Sequence, residues 1–333
     1  GTVKSSKMFT DAQELGKNAQ FTINGRSVIY DKVSDTYMVS IPENAFGTDY
    51  EASIALDATA GWSNLSIEGT DIADNYTFKQ VEGNKIYKIH AQEGDKEINT
   101  QLTFTFLPLL VMEGTFGYSY AQGNISLLSP EAAEPTNSFA KVKWRGGTTN
   151  TADKHKRNYK IKTLNEKGKK QEISLLGMRE DNNWILDAGQ IDLFRLRNRI
   201  ATEIWNDFAT KPYYASKEPK AKSGVTGKVV EVILNNEYRG IYSLTEAMDR
   251  KELKLKKYDD KNQEFHGQLW KVSSWDKAQF WEIDKDYDNT QETWHAFETK
   301  YPDIDDVNPT DYSPLYEAID FVANSNDETF KKE

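Results

Sequence analysis

Phe139-Ala140-Lys141-Val142-Lys143-Trp144-Arg145-Gly146-Gly147-Thr148-Thr149 is an alternating strand that runs into a glycine pair and two hydroxyls. Successive strand side chains point to opposite sides, so the apolar and basic residues separate onto two faces. The pattern returns at once in residues 158–164, where Tyr159 and Ile161 point one way and Lys160 and Lys162 the other. Arg145, Thr148 and Thr149, with the glycines between them, are the parts of a phosphate cradle: close backbone approach, hydroxyls and a cation. The Gly-Lys-Ser/Thr ending of a Walker A loop is missing, so taken alone a tight turn is the better reading.

Moving towards the C-terminus, apolar residues at 193, 196, 200, 204 and 208 predict a helix over 193–208, with Asp192 as its N-cap. Arg197 and Asn198 fall beside that stripe, where they either pair internally or face an anion. Residues 229–234, the turn Asn235-Asn236 and residues 240–244 read as a hairpin. Glu246 and Asp249 follow three residues apart. A helix begun near Thr245 would set both on one face, suited to a metal or a substrate hydroxyl, or would simply be an acid-rich first turn. Lys160 and Lys162 are then expected in a cleft that also receives Glu246 or Asp249. A further strand is predicted at 269–272 and a helix over 313–322, with 287–309 acidic and irregular between them.

Towards the N-terminus the pattern changes. Residues 20–23 and 27–30 flank Asn24-Gly25, a strong hairpin signal because both turn residues tolerate positive φ. Further short strands follow at roughly ten-residue spacing up to 106, which predicts an antiparallel sandwich of immunoglobulin-like type. The fold class is therefore α+β. It divides into a tail over 1–18, a β-sandwich with connector over 19–135, and a second domain over 136–333 with a core of its own. Pro130 and Pro135 mark the boundary.

Composition narrows the chemistry. The 333 residues contain no cysteine and four scattered histidines, which excludes thiolate chemistry and argues against zinc. The net charge is −10. It is unevenly spread: residues 150–260 carry an excess of cations and 261–333 an excess of carboxylates. That distribution fits an anion site in the middle of the chain, whereas the acidic whole and the lack of a recognition motif argue against nucleic acid. No apolar run reaches the length of a membrane-spanning helix.

The order of these pieces resembles the CotH family of spore-coat kinase-like proteins. The resemblance rests on Arg145–Thr149, Tyr159–Lys162, Leu176–Met178 with Trp184, Leu196–Asn198, and the Val-Glu-Val to Leu-Thr-Glu…Asp run from Val230 to Asp249. It covers about residues 140–275. It implies an atypical protein-kinase-like domain that uses ATP and Mg²⁺ to phosphorylate protein Ser/Thr hydroxyls. By the same resemblance Lys160 and Lys162, with Arg145, Thr148, Thr149, Arg197 and Asn198, would hold the nucleotide. Asp249 would be catalytic and metal-binding, with Glu246 the second carboxylate. The family's metal-binding strand ends in an aspartate where this chain has Ser273, and its glutamate is replaced by Lys271. Asp276 is the nearest substitute. A hydroxyl is a far poorer Mg²⁺ ligand than a carboxylate, so the expectation is weak, largely Mg²⁺-independent nucleotide binding with little turnover. The alternatives are a degenerate kinase fold and a surface adhesion module that binds glycan or protein. Absent cysteine, a sandwich module and a start at Gly1 suggest export to the cell surface or periplasm, as a lipoprotein or secreted form. The polar end at Glu333 allows a longer parent protein.

Overall fold

Asn24 and Gly25 both adopt positive φ, and the hairpin predicted around them forms between β1 (Phe21–Ile23) and β2 (Arg26–Ser27). The computed structural model describes residues 20–274, 280–281, 283–304, 307 and 309–332. The chain divides into two compact units, one of residues up to 207 together with 226–247, the other of 208–225 together with 248–333.

The first unit begins with two sheets. β3 (Ile29–Asp31), β4 (Thr36–Ser40), β5 (Tyr50–Leu56), β6 (Trp62–Ile67), β7 (Thr70–Asp71), β8 (Asn75–Phe78), β9 (Tyr87–Glu93) and β10 (Lys96–Thr105) complete them. One sheet has the order β2-β1-β5-β8, the other β3-β4-β10-β9-β6-β7. Phe21, Phe78 and Phe104 lie in the apolar core they share, so aromatic rings carry much of the burial. Trp62 packs half-buried against the same core.

Residues 107–135, expected to be a connector, prove instead to start the next body. β11 (Leu109–Glu113), β12 (Ala121–Leu128), β13 (Thr136–Arg145), β14 (Asn158–Leu164), β15 (Asn183–Asp187), β16 (Gly227–Leu234) and β17 (Glu237–Glu246) close a barrel in the order β11-β12-β13-β14-β15-β17-β16. The closing seam is parallel, with Leu109 opposite Glu231 and Met112 opposite Leu234. Leu109–Met112 is therefore apolar throughout because the strand is covered on both faces: Leu110 and Met112 enter the barrel core, Leu109 and Val111 a second cluster. That second cluster joins Ile29 and Met38 of the sandwich to Ile233 of the barrel. The expectation that the sandwich shares no core with residues beyond 140 is thus overturned. Polar contacts reinforce the joint, since the Tyr238 N–H donates to Asp31 Oδ1 at 3.0 Å and Lys32 pairs with Glu237 at 3.1 Å.

α1 (Arg197–Phe208) begins four residues later than predicted. Its stripe does not face a core: Ile200, Ile204 and Phe208 are each more than half exposed, whereas Arg199 is 4% exposed. The buried guanidinium lies against Gly227, where a Cβ would stand 2.1 Å from Arg199 Nη1. No helix starts at Thr245. Thr245 and Glu246 continue the β17 ladder, opposite Ile185 and Trp184, and turns follow.

In the second unit β18 (Leu269–Val272), β19 (Thr293–Trp294) and β20 (Phe297–Tyr301) form a sheet of order β18-β20-β19. Residues 287–309 are thus partly strand, because Trp294 and Phe297 supply a core with Tyr312, Leu315 and Ile319. Leu315 and Ile319 belong to α2 (Ser313–Asn324), the predicted helix, and Tyr312 immediately precedes it; α3 (Asp327–Lys332) follows. No described helix is long and apolar enough to cross a membrane.

Candidate functional site

Strand register places the lysines. Lys141 stands directly opposite Lys162, and Lys143 opposite Lys160. Their neighbours on the strands, Ala140, Val142 and Ile161, belong to the barrel core. All four ammonium-bearing chains therefore leave the outer face of the wall. The next strand adds Asn183 opposite Lys162 and Ile185 opposite Lys160, so no carboxylate enters the block through β15. Tyr120 lies between two of the lysines, its ring centroid 4.9 Å from Lys143 Nζ and 5.0 Å from Lys162 Nζ, within cation–π range. Like charges directly across a ladder destabilise a sheet. A two-by-two lysine block is thus a local cost that an anionic ligand would offset.

The Arg145–Thr149 stretch behaves as a turn. Gly146 has φ +108° and a Cβ there would meet Thr149 Oγ1 at 2.3 Å, so glycine is required for closure of the loop on itself. Thr149 Oγ1 accepts from Asn158 Nδ2 at 3.1 Å, and Thr148 begins a single 3-10 turn. Desolvation lowers the Arg145 guanidinium from its ordinary range, and the charge of Asp187 works against that shift. Asp187 also receives Asn198 Nδ2 at 3.0 Å. Arg197 pairs with Asp192 at 3.4 Å and lies over Phe194, while the Asp192 carboxylate accepts the Arg197 N–H at 2.8 Å. Arg197 and Asn198 thus each have an acidic partner within the chain, Asp192 and Asp187.

Glu246 takes the opposite side of the wall from the lysines. It aligns with Trp184 and Ile161, both core residues, and is 1% exposed. Its Oε1 accepts the Arg179 N–H at 3.0 Å and its Oε2 the Thr226 N–H at 2.8 Å. Arg179 in turn pairs with Asp181 at 2.9 Å. This carboxylate closes one end of the barrel, and the expected cleft shared by Lys160, Lys162 and Glu246 does not form. The reason is parity: an even offset along β17 puts Glu246 on the face of Tyr242 and Leu244.

Asp249 belongs to the second unit, in a turn where its Oδ1 accepts the N–H groups of Lys251 and Glu252 at 3.0 and 3.1 Å. Ser273 extends the β18 sheet: both its N–H and its hydroxyl donate to the Ala296 carbonyl, at 2.8 and 2.9 Å. Asp276 lies outside the described residues. Among those that are described, the single group of three metal-capable side chains close enough to share an ion is Asp259, Glu264 and His266. Of the two acids expected to bind Mg²⁺, Asp249 is thus the one described, with Oδ1 on turn amides, while Glu246, the expected second carboxylate, accepts backbone amides of its own.

Sequence reasoning missed Lys141, Lys143 and Tyr120 as partners of Lys160 and Lys162. The alternation of 139–144 was a signal for the first two, but pairing with β14 in that register was not legible.

The chain is thus a mixed α+β protein with a cationic barrel wall. A model of the CotH kinase protein family matches residues 142–333, more than half of the chain, and the chain belongs to that family. No curated protein matches it.

Proposed function

We propose that the domain binds the phosphates of ATP on the outer barrel wall and transfers the terminal phosphoryl group to a protein Ser/Thr hydroxyl. The observation that carries the binding half is the lysine block, with Lys141 against Lys162 and Lys143 against Lys160. Charge-assisted contacts to phosphate oxygens are the strong class of hydrogen bond, and cations concentrated without a register carboxylate suit them. Family membership supports the transfer half.

A second reading, nucleotide binding without turnover, is favoured by one observation. Ser273 is tied to Ala296 through both its amide and its hydroxyl, leaving a strand hydrogen bond where the family's metal carboxylate would be. ATP titrations with and without Mg²⁺, beside a transfer assay with a Ser-rich acceptor, separate the two. Binding weakened about tenfold or more in Lys141→Gln/Lys162→Gln supports the lysine wall. Transfer that needs Mg²⁺ supports the first reading, and binding without transfer the second. ATP affinity indifferent to the lysine substitutions would remove the wall from both.

A further inference from the structure

Opposite the end that Glu246 closes, a pocket open to solvent lies over the packed rings of the barrel core. Where β13 and β15 end, at Arg145 and Asp187, a cavity of about 410 Å³ remains, within the range of small-molecule sites. Buried rings of Phe116, Tyr159 and Tyr242, with half-buried Trp144, make its apolar side. Lys154, Arg157 and Arg239 also line it, and among the described residues no Asp or Glu does.

Cations resting on rings can be packing alone. Arg157 lies 4.5 Å above Trp144, and Lys156, next to the lining residues, sits 4.2 Å above Tyr242 with its ammonium donating to the Ile241 carbonyl. Packing, however, fills space, because interiors approach crystal density. Here a solvent-open hollow remains beside them, and the Lys, Arg, Asp and Glu side chains that line it are all cations among the described residues. Arg157 bonds neutral acceptors, Asn150 Oδ1 and the Thr151 carbonyl, while the counter-ions of Lys154 and Arg239 are Asp153 and Glu237, neither of which lines the cavity.

We propose that this barrel mouth binds a small phosphate monoester whose body is a ring. The ring would rest on the accessible part of Trp144, at the edge of the buried rings, and the dianion would meet Lys154, Arg157 and Arg239. This site lies at the end of the barrel, whereas the lysine block leaves the outer face of the wall, so it does not depend on the nucleotide reading. Lys156 adds an independent readout. Desolvation, then the like charge of Arg195, lowers its ammonium to about 8 against the pull of Asp187. A dianion nearby favours the charged form, so affinity should fall as pH rises from 7 to 9, beyond the range where the ester itself titrates.

The test is calorimetric titration of the full chain at low salt with glucose 6-phosphate, phenyl phosphate, glucose and inorganic phosphate. At least one ester should bind about tenfold or more tightly than both glucose and inorganic phosphate. Lys154→Gln/Arg239→Gln should weaken it about tenfold or more, and Ala152→Trp, at an exposed lining position, should abolish it by filling the space. Lys141→Gln/Lys162→Gln should leave it unchanged. Thermal melts of each variant establish that the barrel is intact, and an unfolded Ala152→Trp would be replaced by Thr115→Trp. The proposal is overturned if neither ester binds at about 10 mM, near the weak limit of specific recognition. It is equally overturned if inorganic phosphate binds as well as the esters, or if affinity survives the cavity-filling variant.

Discussion

The two ends of the barrel are finished by opposite means. At one end Glu246 reaches inward, 1% exposed, and takes the amides of Arg179 and Thr226. At the other, rings and cations border a solvent-open hollow that no described carboxylate lines. A charge whose acceptor sites are filled by backbone amides has become part of the architecture, whatever its residue type. Charges of one sign around a solvent-open hollow keep chemistry in reserve. The same contrast runs through the wall between these ends, where core side chains line the inside and four lysines the outside.

The largest expected effect tests the closed end. Glu246→Ala strands the Arg179 and Thr226 amides and should cost about 3 kcal/mol or more in chemical denaturation, as for breaking one partner of a buried charged network. ATP affinity measured under folding conditions should change little. A variant that keeps its stability yet loses transfer would instead make Glu246 a catalytic carboxylate and break the comparison.

At the open end the corresponding probe is pH. Folding lowers the Lys156 ammonium to about 8, so from there to about pH 10 the unfolded chain binds more protons than the folded one. Stability should therefore rise with pH across that window, by about 1–3 kcal/mol from this residue. Lys156→Met should flatten the rise while leaving the buried stem in place. Denaturation curves of both proteins at pH 7.5 and 9.5 give the difference, and identical pH dependence would mean that Lys156 is solvated.

A smaller effect probes what holds α1 on the wall. A Cβ at Gly227 would lie 2.1 Å from Arg199 Nη1 and 2.6 Å from Thr245 Cγ2. Gly227→Ala should cost about 1–3 kcal/mol, the usual range for overpacking. Adding Arg199→Met should recover part of that loss, because two groups in contact are not additive. Purely additive losses would show that the guanidinium moves aside freely.

Period-two patterning made β13, β14 and the Asn24-Gly25 hairpin legible, and the motif order pointed to the family. What stayed hidden depends on pairing over long separations. β11 looks like a connector until β16 joins it, more than a hundred residues later, in a parallel seam that no local signal announces. The helix expected from Thr245 failed because ladder partners on both sides, Ile185 and Gly227, outweigh an acidic first-turn pattern. The apolar stripe of α1 was read as core, yet that face lies outward while Arg199 of the same helix is buried against a glycine. For the site, residue types were visible but not faces: Lys162 and Glu246 lie on opposite sides of one wall, a distinction that register alone decides.

The smallest effect bears on the wall itself and separates stability from binding. Lys141 and Lys162 face each other across β13 and β14, and like charges at that spacing oppose pairing. Lys141→Glu converts the pair to an attractive one and should stabilise the chain by about 0.2–1 kcal/mol, an increment that salt should diminish. The same change places a carboxylate among the remaining lysines, so ATP binding should weaken even as the melting temperature rises. A purely structural wall would gain stability and lose nothing, because repulsion without a ligand has no use. Opposite signs in the two measurements, made on one protein at one ionic strength, would show that the lysines are kept in place by what they bind.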